Sequence, residues 1–172
     1  MIVAETEERD AAAVEARVLR EVCGRYPTGV AVITCQGSEE GPVGITVNSF
    51  TSVSLDPALV LFCVHRESRA LAAVQASGAF AVNILASDQA ALCRAFARRD
   101  TADFGELPHG PGATGSPVLV DALAFLDCRL HTTFPGGDHM IVIGEVVDLG
   151  LLREDQPLTF FRSAHPRLEV LA

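Results

Sequence analysis

Two long strand-like runs, 122–134 and 139–149, are separated only by Pro135-Gly136-Gly137-Asp138. Strands joined this closely form a hairpin, so they pair antiparallel; a parallel pair needs a much longer crossover. The rest of the chain repeats the theme. Residues 30–35 form a β-rich run, the segment 37–42 (GSEEGP) reads as a turn, and 43–55 (VGITVNSFTSVSL) reads as the partner run. After Asp56-Pro57, the continuous apolar stretch 59–64 (LVLFCV) is expected to be a strand covered on both faces. Residues 80–85 (FAVNIL) are a further strand, and 158–161 a last short one.

Helices are fewer. Val14, Val18 and Val22 recur at helical spacing within 11–25, which Gly24 and Pro27 terminate. Ser68 is placed to cap a helix through Ala76, with Gly78 as its stop. Ser87 is placed to cap another over 88–98, carrying Leu92 and Phe96 toward a core. The polar, Gly- and Pro-rich stretch 99–117 reads as a long loop that folds over something. The pattern therefore gives about six or seven strands, mostly without intervening helices, and points to a small antiparallel β-barrel with helices packed outside. The 172 residues are expected to form a single domain, residues 1–172, with 1–10 a frayed, solvated end.

Composition removes several functions. The net charge is −9, which argues against nucleic acid and anionic membrane surfaces. All 13 basic residues are arginine, so no lysine is available for a Schiff base or a phosphate loop. No window reaches the roughly 18 unbroken apolar residues of a membrane span. No leader is visible at the acidic N-terminus, so the expected compartment is cytoplasmic. Five dispersed cysteines without a CxxC are expected to be small, reduced, buried thiols, and Cys63 and Cys128 inert packing. Phe80, Phe125 and Phe134 are read as core. The histidines at 65, 109, 131, 139 and 165 show no metal spacing, and GxGxxG, GxxxxGK[ST], HExxH and GxSxG are absent.

Two segments stand out chemically. Residues 44–54 (GITVNSFTSVS) carry two Thr, three Ser and one Asn on a strand-like run. Such small neutral groups suit a polar ring system rich in carbonyls and nitrogens, although a solvated edge strand would look the same. In HRESRALAAV, Arg66 and Arg69 flank Ser68 at a predicted helix start, a place that favours a phosphate. A simple capped helix with solvated arginines is the alternative.

The chain resembles the short flavin reductases of two-component monooxygenases, within the flavin reductase-like, FMN-binding split-barrel family. The matching text is Arg25-Tyr26-Pro27-Thr28-Gly29-Val30, Gly44-Ile45-Thr46-Val47-Asn48-Ser49-Phe50-Thr51-Ser52, Ser54-Leu55-Asp56-Pro57, Phe80-Ala81-Val82-Asn83-Ile84-Leu85, Gly115-Ser116-Pro117-Val118-Leu119 and Gly137-Asp138-His139. Order and gaps agree from about residue 17 to about residue 165.

The resemblance implies a mainly β, six-stranded antiparallel split barrel of Greek-key type with outer helices. It implies a homodimer with flavin sites near the subunit interface. It also implies reduction of FAD or FMN by NADH, with NADPH possible, and delivery of the reduced flavin to a partner monooxygenase. By the same resemblance, Gly44, Ile45, Thr46, Asn48, Ser49 and Ser52 correspond to the ring and ribityl contacts. Cys63, Val64, His65, Ser68 and Arg69 correspond to the phosphate side, and Phe96 to a flavin-contacting helix residue. His139 corresponds to the histidine beside the nicotinamide, with no acid or base role assigned. Phe160, Phe161, Arg162 and Ser163 correspond to the segment touching the nicotinamide nucleotide. Two alternatives stay open: a barrel with tightly held flavin reducing another acceptor, and a non-catalytic flavin-binding module.

Overall fold

The computed structural model describes residues 14–37, 41–97, 104–105 and 107–169. In chain order the elements are α1 (Ala16–Cys23), β1 (Thr28–Gly29), β2 (Ala31–Cys35), β3 (Val43–Val47), β4 (Thr51–Leu55), β5 (Ala58–His65), α2 (Arg69–Ser77), β6 (Ala79–Ile84), α3 (Ala90–Ala97), β7 (His109–Pro111), β8 (Pro117–Leu119), β9 (Ala124–Gly136), β10 (His139–Leu151) and β11 (Thr159–Phe160). The main sheet has the order β3-β2-β6-β9-β10-β5-β4 and every pairing in it is antiparallel. Two small ladders, β1-β11 and β7-β8, lie outside it.

The long hairpin is present, β9 and β10 turning at Gly137 with φ +72°. A residue with a Cβ rarely adopts that value. The 43–55 run does not form one strand. It pairs with β2 as β3, then crosses at Asn48-Ser49-Phe50 to add β4 to the free edge of β5. The main sheet consequently has seven strands, within the range of the sequence pattern and one more than the resemblance implies. β3 and β4 are its two edges, and the chain between them spans the split. There the Ser49 hydroxyl accepts from the Cys63 N–H at 2.9 Å and donates to the Cys63 carbonyl at 3.3 Å. That clasp ties the β3 end to β5.

The apolar stretch expected to be covered on both faces instead alternates. Val60, Phe62 and Val64 are buried, while Leu59, Leu61 and Cys63 are half-buried. Only one face of β5 looks into the barrel. Strands buried on both faces are β2 and its neighbour β6: in β2, Ala31, Ile33 and Cys35 join the barrel interior with Phe62, Phe80, Val82 and Val142, while Val32 joins Leu85, Phe96, Phe104 and Leu119 on the outer side. Phe62 and Phe80 meet edge to face at 5.1 Å, a geometry that adds to their area burial.

The helices differ in how they are held. α2 has the expected ends: Ser68 accepts from the Ala70 N–H, and Gly78 adopts φ +68°. α3 starts later than expected, at Ala90. Gln89, not Ser87, provides the local side-chain bond, its Oε1 accepting from the Ala86 N–H at 2.9 Å. α1 is shorter than the periodicity predicts and buries nothing; residues 11–13 fall outside the described residues.

The loop read at 99–117 contains the β7-β8 hairpin; residues 98–103 and 106 lie outside the described residues, as do 1–10 and 38–40 of the turn. β8 is anchored by a buried polar network. Asn83 donates to the Val32 carbonyl (3.1 Å) and to Thr34 Oγ1 (2.9 Å), and its Oδ1 accepts from the Leu119 N–H (2.8 Å). The Thr34 hydroxyl in turn donates to the Pro117 carbonyl.

Two further expectations need correction. Cys23 is exposed, because nothing among the described residues covers α1, and Cys63 is only half-buried. Phe134 is also exposed, lying near the hairpin tip beyond the barrel core. Cys35, Cys93 and Cys128 are buried as expected, and burial pushes the Cys35 and Cys128 thiols up to about 12. No helix among the described residues is long and apolar enough to cross a membrane.

Candidate active-site cleft

β3 sets the local geometry. Strand side chains alternate, so Gly44 and Thr46 face α3 while Val43 and Ile45 face the barrel core. Gly44 is needed for close approach: a Cβ there would lie 2.4 Å from Phe96 Cε1. The Thr46 hydroxyl donates to the Cys93 carbonyl at 2.8 Å, which locks β3 against α3.

Above this contact opens a cleft of about 280 Å³, lined by Val30, Thr46, Val47, Asn48, Cys93, Arg94, Ala97, Phe160 and His165. The valines, Ala97 and Phe160 make apolar walls. Asn48, Arg94, His165 and the acceptor face of Thr46 supply polar groups. Apolar walls with a few convergent polar groups suit a flat heteroaromatic ring whose edge carries carbonyls and N–H groups. On that ground the residues fit a flavin or a nicotinamide. The Cys93 thiol is raised by burial, against an opposing effect of Arg94, and so stays protonated near neutrality. No cluster able to hold a metal occurs among the described residues.

A second polar group sits at the end of the β5-β10 pair. His65 and His139 are cross-strand partners with ring centroids 5.5 Å apart. His139 Nδ1 meets Asp138 Oδ1 at 2.7 Å, and the carboxylate can only accept, so Nδ1 carries the hydrogen. That bond, first of all, holds the Asp138 carboxyl below its ordinary value. His65 Nδ1 accepts from the Glu67 N–H at 3.3 Å. The start of α2 stacks on the same end, the Ser68 N–H donating to the His65 carbonyl and the Arg66 N–H to Asp138.

The residues expected at the site therefore divide. Thr46, Asn48 and Phe160 line the cleft, and Gly44 lies beneath it. His65, His139, Ser68 and Arg69 belong to the second group, and none of them lines the cleft. For Ile45 and Val64, pleat alternation turns both side chains toward the barrel core and leaves only main-chain groups for the outer side. The Phe96 ring is buried, 2% exposed under Gly44 and against Phe104 at 5.2 Å. Ser49 is the clasp on Cys63, and Ser52 is exposed on the edge strand β4. Arg162 and Ser163 are exposed in a tight turn, with Phe161 half-buried at its start.

Arg94, Cys93, Ala97, Val30, Val47 and His165 were not singled out from sequence. α3 presents Cys93, Arg94 and Ala97 only because β3 packs on it, and nothing in their spacing announces that. His165 had a signal, lying six residues past Thr159 on the terminal segment, but no motif marked it.

The fold is thus an antiparallel, split-edged barrel with a ring-sized cleft between an edge strand and an outer helix. The chain belongs to the flavin reductase family, matching the Flavin reductase like domain over residues 23–169. It is similar to the reductase subunit HsaB of a flavin-dependent monooxygenase from Rhodococcus jostii (strain RHA1). The two are 41% identical over 160 residues, covering 92% of this chain and 81% of the relative. It is 38% identical to the NADH-dependent FMN reductase AsuE2 of Streptomyces nodosus subsp. asukaensis, covering 87% of this chain and 83% of that protein. The structure of the Streptomyces globisporus C-1027 NADH:FAD oxidoreductase SgcE6, solved with NAD and FAD fragments, superposes with a TM-score of 0.83. It is 38% identical and covers 92% of this chain and 98% of that one.

Proposed function

We propose that this protein is an NADH-dependent flavin reductase that passes reduced FAD or FMN to a partner monooxygenase. The cleft between β3 and α3 carries the reading, because it joins apolar walls to Thr46 and Asn48, on and just past the strand that bears the family's motif, and to Arg94 on α3. Bound FAD or FMN supplies a ring able to take two electrons from a dihydronicotinamide. The chain's task is then to bind, orient and exclude water. Val30, Val47 and Phe160 exclude water from the ring faces, and Asn48 offers an amide to the ring edge. With no lysine in the chain, Arg94 is the cleft-lining cation that would stabilise negative charge on a bound ring.

The remaining expectations are part of the same proposal. The α2 start, with Ser68 and Arg69, takes the flavin phosphate side. His139 orients the nicotinamide from the β10 end, its Nδ1 held by Asp138 and its Nε2 open. These groups lie off the cleft within one chain, and a second copy is proposed to bring complementary surfaces together. The exposed stripe of Val14, Val18 and Val22 supports that homodimer. The compartment proposed is the cytoplasm.

The test is anaerobic mixing of the protein with FAD or FMN and NADH or NADPH. Rapid loss of the oxidised flavin's visible absorbance is expected with NADH. Absence of bleaching with every pair would overturn the proposal.

A further inference from the structure

The cleft wall contributed by the last segment is built with unusual care. Phe161 and Ala164 exchange backbone hydrogen bonds at 2.9 and 3.0 Å. Between them, Arg162 (φ 52°) and Ser163 (φ 63°) are both left-handed, a conformation that residues with side chains avoid. The turn is tied to the α1 end by the Arg162 N–H donating to the Gly24 carbonyl at 3.1 Å. It brings Phe160 and His165 back to the same cleft, with ring centroids 5.8 Å apart.

Thr159, 7% exposed, holds the returning strand twice. Its hydroxyl donates to the Pro166 carbonyl, and its carbonyl meets His165 Nδ1 at 2.7 Å. A carbonyl oxygen can only accept, so Nδ1 carries the hydrogen. In the neutral imidazole Nε2 is then a bare acceptor, and it is the only polar atom the ring has left for the cleft.

The geometry points to His165 as the positioning residue that reads the N–H edge of the ring bound in this cleft, its Nε2 accepting from a ring-edge amide. The other polar groups complete the pattern. Arg94 offers donors, Asn48 offers both roles, and the Thr46 hydroxyl has given its hydrogen to Cys93. An N–H flanked by carbonyl oxygen is the complementary chemistry. Two ring systems carry it: the imide of a flavin and the carboxamide of a nicotinamide. The inference rests on the flavin-reductase reading and adds the residue that reads the ring edge.

Two analogues separate the sources. A flavin methylated at the imide nitrogen lacks that N–H, and 3-acetylpyridine adenine dinucleotide, used reduced, lacks the carboxamide NH₂. Steady-state kcat/KM is measured for FMN against its methylated analogue, and for NADH against the acetylpyridine analogue. The proteins are the wild type, His165→Phe and His165→Gln. Flavin binding is followed in parallel by fluorescence quenching.

The wild type is expected to disfavour one analogue by about tenfold, the worth of one hydrogen bond. His165→Phe keeps a ring but no acceptor, and should bring that ratio within about twofold of unity. His165→Gln, with an amide oxygen, should restore part of it. Discrimination against the flavin analogue assigns the imide; discrimination against the nicotinamide analogue assigns the carboxamide. Equal handling of both analogues by an active wild type overturns the role of His165 alone. So does unchanged discrimination in His165→Phe. A wild type that neither binds flavin nor oxidises NADH overturns the parent reading and this inference with it.

Discussion

The interior of the barrel and the outside of α1 are written in similar apolar residues and end differently. Ile33, Phe62, Phe80, Val82 and Val142 are at most 1% exposed, whereas Val14, Val18 and Val22 are 74%, 43% and 64% exposed. The same contrast runs along β10. Val142 is sealed against the barrel core, while Leu149 and Leu151, past the last residue paired with β5, stand open. An apolar stripe states that a surface wants cover; it does not state which surface covers it. For β2, β6 and β9 the cover comes from this chain. For α1 and the β10 end, the homodimer proposal places it in a second copy.

The largest effect that would sharpen the contrast comes from the interior. Phe80→Ala removes a fully buried ring packed on Phe62 and should cost about 3–5 kcal/mol in denaturant unfolding. A loss under about 1 kcal/mol would mean the barrel core is far looser than its burial indicates. Next is Gly44→Val at the cleft floor. The new side chain meets Phe96, so a loss of about 1–3 kcal/mol is expected, with a raised KM for flavin because β3 must move off α3.

The double change Val18→Asp and Val22→Asp acts on the uncovered side. Each should alter the stability of the isolated chain by less than about 0.5 kcal/mol, yet sedimentation should change from dimer to monomer. Cys23 reports the same event, since its labelling by a thiol reagent should speed up as α1 is uncovered. An unchanged dimer with Cys23 labelled at the wild-type rate would break the comparison.

The smallest effect is at the hairpin tip. The Asp138 carboxyl is held low by its bond to His139, so its contribution is present above the ordinary carboxylate value and fades as pH falls through the lowered one. Asp138→Asn should therefore remove a small stabilisation near neutrality and flatten the acid limb of the stability curve. Thermal melts between about pH 3 and 7 measure it.

Much of the fold was readable in advance. The β9-β10 hairpin, the β2-β3 pair, the capped α2 and the FAVNIL strand all follow from local signals that act within a few residues. The misreadings share a cause. Nothing local distinguishes a continuous run 43–55 from two strands on opposite sheet edges, because the break at Asn48-Ser49-Phe50 is set by the Ser49 bond to Cys63, fourteen positions away. Likewise LVLFCV reads as doubly buried, but its outer face is only half covered. At the cleft, Thr46, Asn48 and Phe160 were singled out through the resemblance, and the fold brings them together. The side chains of Phe96, Ile45 and Val64, singled out in the same way, pack inward, which no local pattern announces.

By itself the sequence determined an antiparallel β architecture, an anionic chain whose cations are all arginine, and the polar strand that borders the cleft. Periodicity, turn residues and composition are properties of neighbours along the chain, so they can be read there. Only the tertiary structure decided that Arg94, Phe160 and His165 face Asn48 across one cleft. Their meeting depends on α3 closing over Gly44 and on a strained turn tied back to Gly24, contacts between residues far apart in sequence that no local pattern encodes.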